Sequence, residues 1–194
     1  MTSKKPRAFP AAHDGMTSVD PDGRAVLRFE RELRHSVERV WAAVTQPEEM
    51  VAWFAHRVEI DPQVGGRLTL WLGDSSAPDP VQAGTVTVFD PFEAFETVFE
   101  DGSSVRFELQ ESVSGCLLIF TDTRPIGERA RNSVLAGWHL RMDQLPDALE
   151  GRPTDWLALD ADRDEHGFVA AIAEIYWHYR NQERPTNVAS GNES

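Results

Sequence analysis

Hydrophobic and polar positions alternate over residues 25–34, with Leu27, Phe29, Arg31 and Leu33 on one face and Val26, Arg28, Glu30 and Glu32 on the other. That is the two-residue period of a half-exposed strand. After Ser36 the period lengthens: Val37, Val40, Trp41 and Val44 fall on one side of a helix that Ser36 can cap. A break at Thr45–Gln46 precedes a second short helix, with Pro47 at its first position, Glu49 in its first turn and Trp53–Phe54 at its end. Two helices between two strands exclude a tight hairpin and form a crossover or a flap against a sheet edge.

Strands are expected next at 57–60, 67–72, 82–89, 94–99, 104–110 and 115–123. Gly65 and Gly66 supply the turn after Asp61, and 73–80 reads as a loop. In 82–89, Val86 and Val88 share one face, and Ala83, Thr85, Thr87 and Phe89 the other. Glu100-Asp101-Gly102-Ser103 predicts a tight hairpin with a type I′ turn. Val105, Phe107 and Leu109 point inward from its second strand, and the run CLLIF at 116–120 suits a strand covered on both faces. With no βαβ rhythm, the segments make an antiparallel meander.

The longest amphipathic segment is Asn132–Gly151, where Val134, Leu135, Trp138, Met142, Leu145 and Leu149 form one stripe at a 3.6-residue period. Asn132 or Ser133 caps its start, Gly151 stops it, and Pro146 bends it or divides it in two. Beyond it, 155–162 (with Trp156, Leu157 and Leu159) is expected to turn back onto the domain. A second helix over 166–180 carries Phe168, Ile172, Ile175 and Tyr179 on one side. The organisation read from this pattern is a disordered tail over 1–23, one domain over 24–151, an extension with an additional helix over 152–182, and a flexible tail over 183–194.

Composition narrows the function. The chain of 194 residues has 41% apolar residues, enough for one sizeable core. Its 32 acidic and 19 basic residues give a formal charge of -13. That balance disfavours nucleic acid and an anionic membrane as main partners. Cys116 is the only cysteine, so no internal disulfide or cysteine-rich zinc site is expected. The first fifteen residues lack an apolar core, so they do not read as a secretory signal, and no apolar run is long enough to span a bilayer. The expected address is cytoplasmic.

Several ordered segments carry a resemblance: S-V-E-R-V-W at 36–41, Trp53-Phe54, V-G-G-R-L at 64–68, G-T-V at 84–86, and A-G-W-H-L-R-M-D-Q-L followed by L-E-G at 136–151. Together they resemble the START/Bet v 1-like (SRPBCC) superfamily, and more narrowly the bacterial proteins similar to the C-terminal domain of the activator of Hsp90 ATPase. The likeness covers about residues 25–151. It implies an α+β helix-grip fold. A curved antiparallel sheet of about six or seven strands wraps a long C-terminal helix, two short helices follow the first strand, and a cavity lies between sheet and helix. The superfamily spans lipid and hormone carriage, polyketide cyclisation and co-chaperone action, so it implies fold more than function.

The candidate ligand-binding residues are Trp53, Phe54, Trp71, Phe107, Trp138 and Met142, as walls of such a cavity, with His139 beside them as a proton donor or acceptor. Plain core packing is the alternative for each. Gly137 is read as permitting close helix–sheet approach, and Arg106 as pointing away from Val105 and Phe107. Asp160-x-Asp162-x-Asp164 resembles the opening of a calcium loop, but Glu165 stands where the turn glycine belongs and Ala171 where the bidentate acid belongs. No nucleophile triad, phosphate loop or zincin spacing is present, and Cys116 reads as an inert core thiol. No catalytic residue, cofactor or metal site is therefore expected. The favoured function is binding of a hydrophobic or aromatic small molecule. The alternatives are a cyclase- or aromatase-like pocket enzyme, and a protein-interaction module or homodimer using an apolar patch around Phe168, Ile172, Tyr176 and Trp177 on the C-terminal extension.

Overall fold

The computed structural model describes residues 13–72, 82–156 and 168–182. The 73–80 loop, the Asp160–Asp164 run and the 183–194 tail lie outside the described residues. Among those described, eight strands form one curved antiparallel sheet: β1 (Met16–Val19), β2 (Ala25–Leu33), β3 (Arg57–Ile60), β4 (Arg67–Trp71), β5 (Gln82–Asp90), β6 (Ala94–Phe99), β7 (Ser104–Ser112) and β8 (Gly115–Arg124). Their order across the sheet is β1-β2-β8-β7-β6-β5-β4-β3. Helices α1 (Val37–Thr45) and α2 (Pro47–Met50) connect β2 to β3, and the long helix α3 (Glu128–Leu149) lies in the grip of the sheet. A further helix, α4 (Phe168–Gln182), packs on α3.

The local signals at the α1–α2 connection act as their chemistry requires. The Ser36 side chain accepts from the Arg39 amide, and Pro47 stands at the start of α2. At the other end of the domain Gly151 takes φ +79°. Its amide donates to Ala148 and that of Arg152 to Asp147, the paired bonds that close a helix with a left-handed glycine.

Five expectations change. The eighth strand is β1, inside the stretch read as a tail. It pairs with β2 from Met16↔Arg28 to Val19↔Ala25, through a turn in which Asp20 accepts from the Asp22 and Arg24 amides and Gly23 has φ +81°. The long helix starts at Glu128 behind Gly127 rather than at Asn132, because its first turn is polar and exposed and adds nothing to the apolar stripe. It also runs unbroken through Pro146, whose missing N–H takes the intrahelical donor from the Met142 carbonyl only one turn before the helix ends. The Asp101-Gly102 hairpin is not type I′. Gly102 has φ +80° while Asp101 is not left-handed, and the Gly102 amide bonds the Phe99 carbonyl, the bulged form of the turn. Finally, a bulge between Val86 and Val88 resets the parity of β5, so Phe89 packs inward against Trp41 and Phe95.

The core lies between the concave face of the sheet and α3. β2 contributes Leu27, Phe29 and Leu33, β7 Val105, Phe107 and Leu109, and β8 Cys116, Leu118 and Phe120, all buried. On the convex face Arg106 pairs with Glu96 and Glu108, so it points away from Phe107 as its position predicts. None of the helices among the described residues is long and apolar enough to cross a membrane.

Candidate functional site

The interior between sheet and α3 is built from rings. Trp53 and Phe54 follow α2, Phe107 and Phe120 stand at inward positions of β7 and β8, and Trp138 stands on α3. Phe54 stacks on Trp138 with centroids 5.4 Å apart, and Phe120 meets the same indole at 4.8 Å. Phe107 lies 5.8 Å from Phe54, 5.1 Å from Phe120 and 6.2 Å from Trp53. Tilted and edge-on contacts at these distances use the ring quadrupoles as well as apolar burial. Met142 completes this surface one turn along α3 and is fully buried.

Two buried charged groups border the rings. Asp122, at the inward end of β8, has no exposed surface, accepts the indole N–H of Trp138 and pairs with Arg124 at 2.8 Å. Burial raises its carboxyl above the ordinary range, against the opposing pull of Arg124 and of the Trp138 hydrogen bond. On α3, Arg141 donates to the carbonyls of Phe54 (2.9 Å), Leu72 (3.1 Å) and Gly137 (3.2 Å). Burial lowers its guanidinium to about 10. Arg141 thereby ties the segment after α2 and the end of β4 to the same turn of α3.

His139 points to a different neighbourhood from Trp138. It is fully buried, with Nδ1 2.6 Å from the Tyr179 hydroxyl of α4 and Nε2 3.3 Å from Asp143. The Tyr179 oxygen also accepts from the Gly15 amide at 2.7 Å, and Asp143 reaches Arg31 of β2 at 3.4 Å. Burial pushes the Asp143 carboxyl up. The hydrogen bond and charge of His139, with Arg31 and His13, outweigh it and hold the group below the ordinary aspartate value. Burial likewise raises the Tyr179 phenol. The result is a latch joining α3, α4, β2 and the segment before β1.

Of the residues singled out from the sequence, Trp53, Phe54, Phe107, Trp138 and Met142 therefore share one interior, and His139 adjoins it through the latch. Trp71 stands apart: it alternates with the core residues Leu68 and Leu70, and the Arg57 guanidinium covers its ring at 4.4 Å. Gly137 does not have the packing role read for it, since a Cβ there would meet only the Arg141 guanidinium, at 3.9 Å. Cys116 is fully buried in β8, and burial raises its thiol to about 11.

The family model described as activator of Hsp90 ATPase homolog 1-like protein matches residues 34–150. The chain belongs to that family. Solved structures give the same architecture. A conserved protein of unknown function from Enterococcus faecalis, EF2215, aligns with a TM-score of 0.65 at 19% identity, covering 88% of this chain and 91% of its own. CalU16 from Micromonospora echinospora aligns at 0.61 and 19%, covering 85% and 92%. MLL2253 from Mesorhizobium loti aligns at 0.56 and 21%, covering 66% and 99%. At these identities the likeness establishes the fold alone. No curated protein matches the chain.

The ring cluster, Asp122 and Arg141 all fall within the family segment, whereas Gly15 and Tyr179 of the latch fall outside it. Sequence reading missed Asp122, Arg141, Asp143 and Tyr179 as site-forming residues. A signal existed for two of them. Asp122 continues the inward parity of Cys116, Leu118 and Phe120, and Arg141 follows Trp138 by three on the same helix face. A charged residue at an inward position was the cue.

Proposed function

We propose that this family member binds a hydrophobic or aromatic small molecule between the sheet and α3. Trp53, Phe54, Phe107, Trp138 and Met142 form the contact surface in this reading. Its main support is the presence of Asp122 and Arg141, both buried, at the border of a ring cluster. Buried charges are costly and contribute little to stability compared with apolar residues of the same volume. They do provide fixed polar groups that orient a ligand in an otherwise apolar site. The rings fill the interior in the free protein, so entry requires the Trp53–Phe54 segment to move. That segment lies between α2 and β3, outside regular structure; Arg141 donates to its Phe54 carbonyl, and the Trp53 indole donates to the Ala43 carbonyl of α1.

Native mass spectrometry of the purified full chain tests the proposal. A discrete bound small molecule, lost in Trp138→Leu, is the expected result. A bare chain that also takes up no aromatic probe would refute it.

A second reading concerns α4. Trp177 is 55% exposed, with Tyr176 edge-on beside it at 5.5 Å, which favours a protein contact through the extension. It predicts a concentration-dependent change in molar mass by light scattering that Trp177→Glu abolishes.

A further inference from the structure

A groove of about 630 Å³ opens where β1 stops pairing with β2. The last β1–β2 pair is Met16↔Arg28, and from there β2 runs on along the groove through Arg31 and Leu33 to Arg34 and His35. Leu33 of β2 and Pro146 near the end of α3 give it an apolar wall on the concave side, while Leu117 of β8, paired with Glu32, borders it from the opposite face of the sheet. None of the ring-cluster residues lines it.

The charges around this groove are not symmetric in their availability. Each of its three carboxylates has a partner: Glu30 is paired with Arg28, Glu32 accepts from the hydroxyls of Ser112 and Ser114, and Glu150 is paired with Arg152. The cations are less satisfied. Arg34 is exposed and makes no hydrogen bond or ion pair with the described residues. Arg31 is 4% exposed, and its guanidinium donates to the Glu30 carbonyl and, at a long 3.4 Å, to Asp143. Its Nε reaches no acceptor among the described residues. A buried guanidinium with an unused donor is expensive to maintain. Burial also lowers the Arg31 guanidinium, with Asp143 opposing that shift only in part. In a chain of charge -13, this is a local site where the uncommitted groups are positive.

We infer that this groove is a second binding site, for an amphipathic carboxylate such as a fatty or aryl-alkanoic acid. Arg34 receives the carboxylate at the mouth, with Arg31 at the base. The apolar body lies along Leu33 and Pro146. Arginine suits the role because its planar fork matches a carboxylate and stays charged at any physiological pH. The site does not depend on ligand entry beside Trp138.

Sodium decanoate, titrated into the full chain and followed by amide NMR, tests the inference against decylammonium and decanol as probes. Saturable decanoate shifts are expected at residues 31–35 and around Pro146, with decylammonium and decanol much weaker. Arg34→Glu should weaken decanoate about tenfold or more, the equivalent of one lost charge-assisted contact. Trp138→Leu should leave it unchanged, so this site and the interior site fail or succeed separately. Arg34 is exposed, so its variant folds even where Arg31→Met does not. The inference is overturned by equal binding of the three probes, by decanoate binding that Arg34→Glu leaves intact, by shifts centred on the Trp138 indole, or by no saturable binding.

Discussion

Trp138 and Asp122 meet in the interior, the indole N–H of α3 donating to a β8 carboxylate that has no exposed surface. The bond fixes the face that Trp138 presents to Phe54 and Phe120, so the position of the α3 indole in the site depends on a buried acid. Trp138→Phe keeps a ring but removes the donor, leaving Asp122 with Arg124. We expect a loss of about 1–3 kcal/mol in urea unfolding, the cost of stranding a buried acceptor. An unchanged midpoint would mean that the bond does not contribute.

The latch should behave as one unit. Tyr179→Phe removes the oxygen that accepts the Gly15 amide and bonds His139. The expected cost is about 1–3 kcal/mol, and hydrogen exchange should rise in α4 and at residues 14–19 together. Faster exchange in α4 alone would show that the segment before β1 is held by other contacts.

Acid should loosen the same latch. Asp143 sits below its ordinary value of 3.8 in the folded chain. The unfolded chain therefore takes up its proton first, stability is fully present above 3.8, and it is lost as pH falls from there through the folded value. Asp143→Asn should lower stability at about pH 6 and flatten the acid limb below about pH 4. Parallel acid limbs in the two proteins would contradict this assignment.

Two glycines should respond in opposite directions. A Cβ at Gly15 would lie 2.4 Å from the Phe29 ring and 2.8 Å from Leu135, so Gly15→Ala should destabilise and disturb the start of β1. Gly137 has room, and Gly137→Ala should stabilise α3 by roughly 0.5–1 kcal/mol through backbone entropy. Thermal unfolding of both variants checks the pair; a destabilised Gly137→Ala would restore the close-approach role read from the sequence.

Local chemistry was readable before the structure. Ser36, Pro47 and Gly151 each act within a few residues, and the inward parity of Leu27, Phe29 and Leu33 follows from period alone. β1 escaped notice because Met-Thr-Ser-Val is exposed along its whole length. Its turn chemistry at Asp20–Gly23 was nonetheless present in the sequence. Phe89 was misplaced because a bulge shifts parity without leaving a mark in the residue types. The partners of His139, Trp138 and Arg141 were out of reach for a different reason: Tyr179 is 40 residues from His139, and Leu72 is 69 from Arg141. Such pairings are set by how the sheet curves around α3, which no local pattern records. Trp71 illustrates the converse, since an aromatic on a strand can be buried on the face away from the helix.

The interior site is tested most directly by titrating the full chain with 2-naphthol, a neutral aromatic probe, while following its tryptophan indole N–H signals. Ligand entry beneath α3 predicts saturable shifts at Trp53 and Trp138, none at Trp71 or Trp177, and loss of the response in Trp138→Leu. Trp53 and Trp138 signals that stay in place up to the solubility limit of the probe would show that these rings are a closed core and would contradict the proposal.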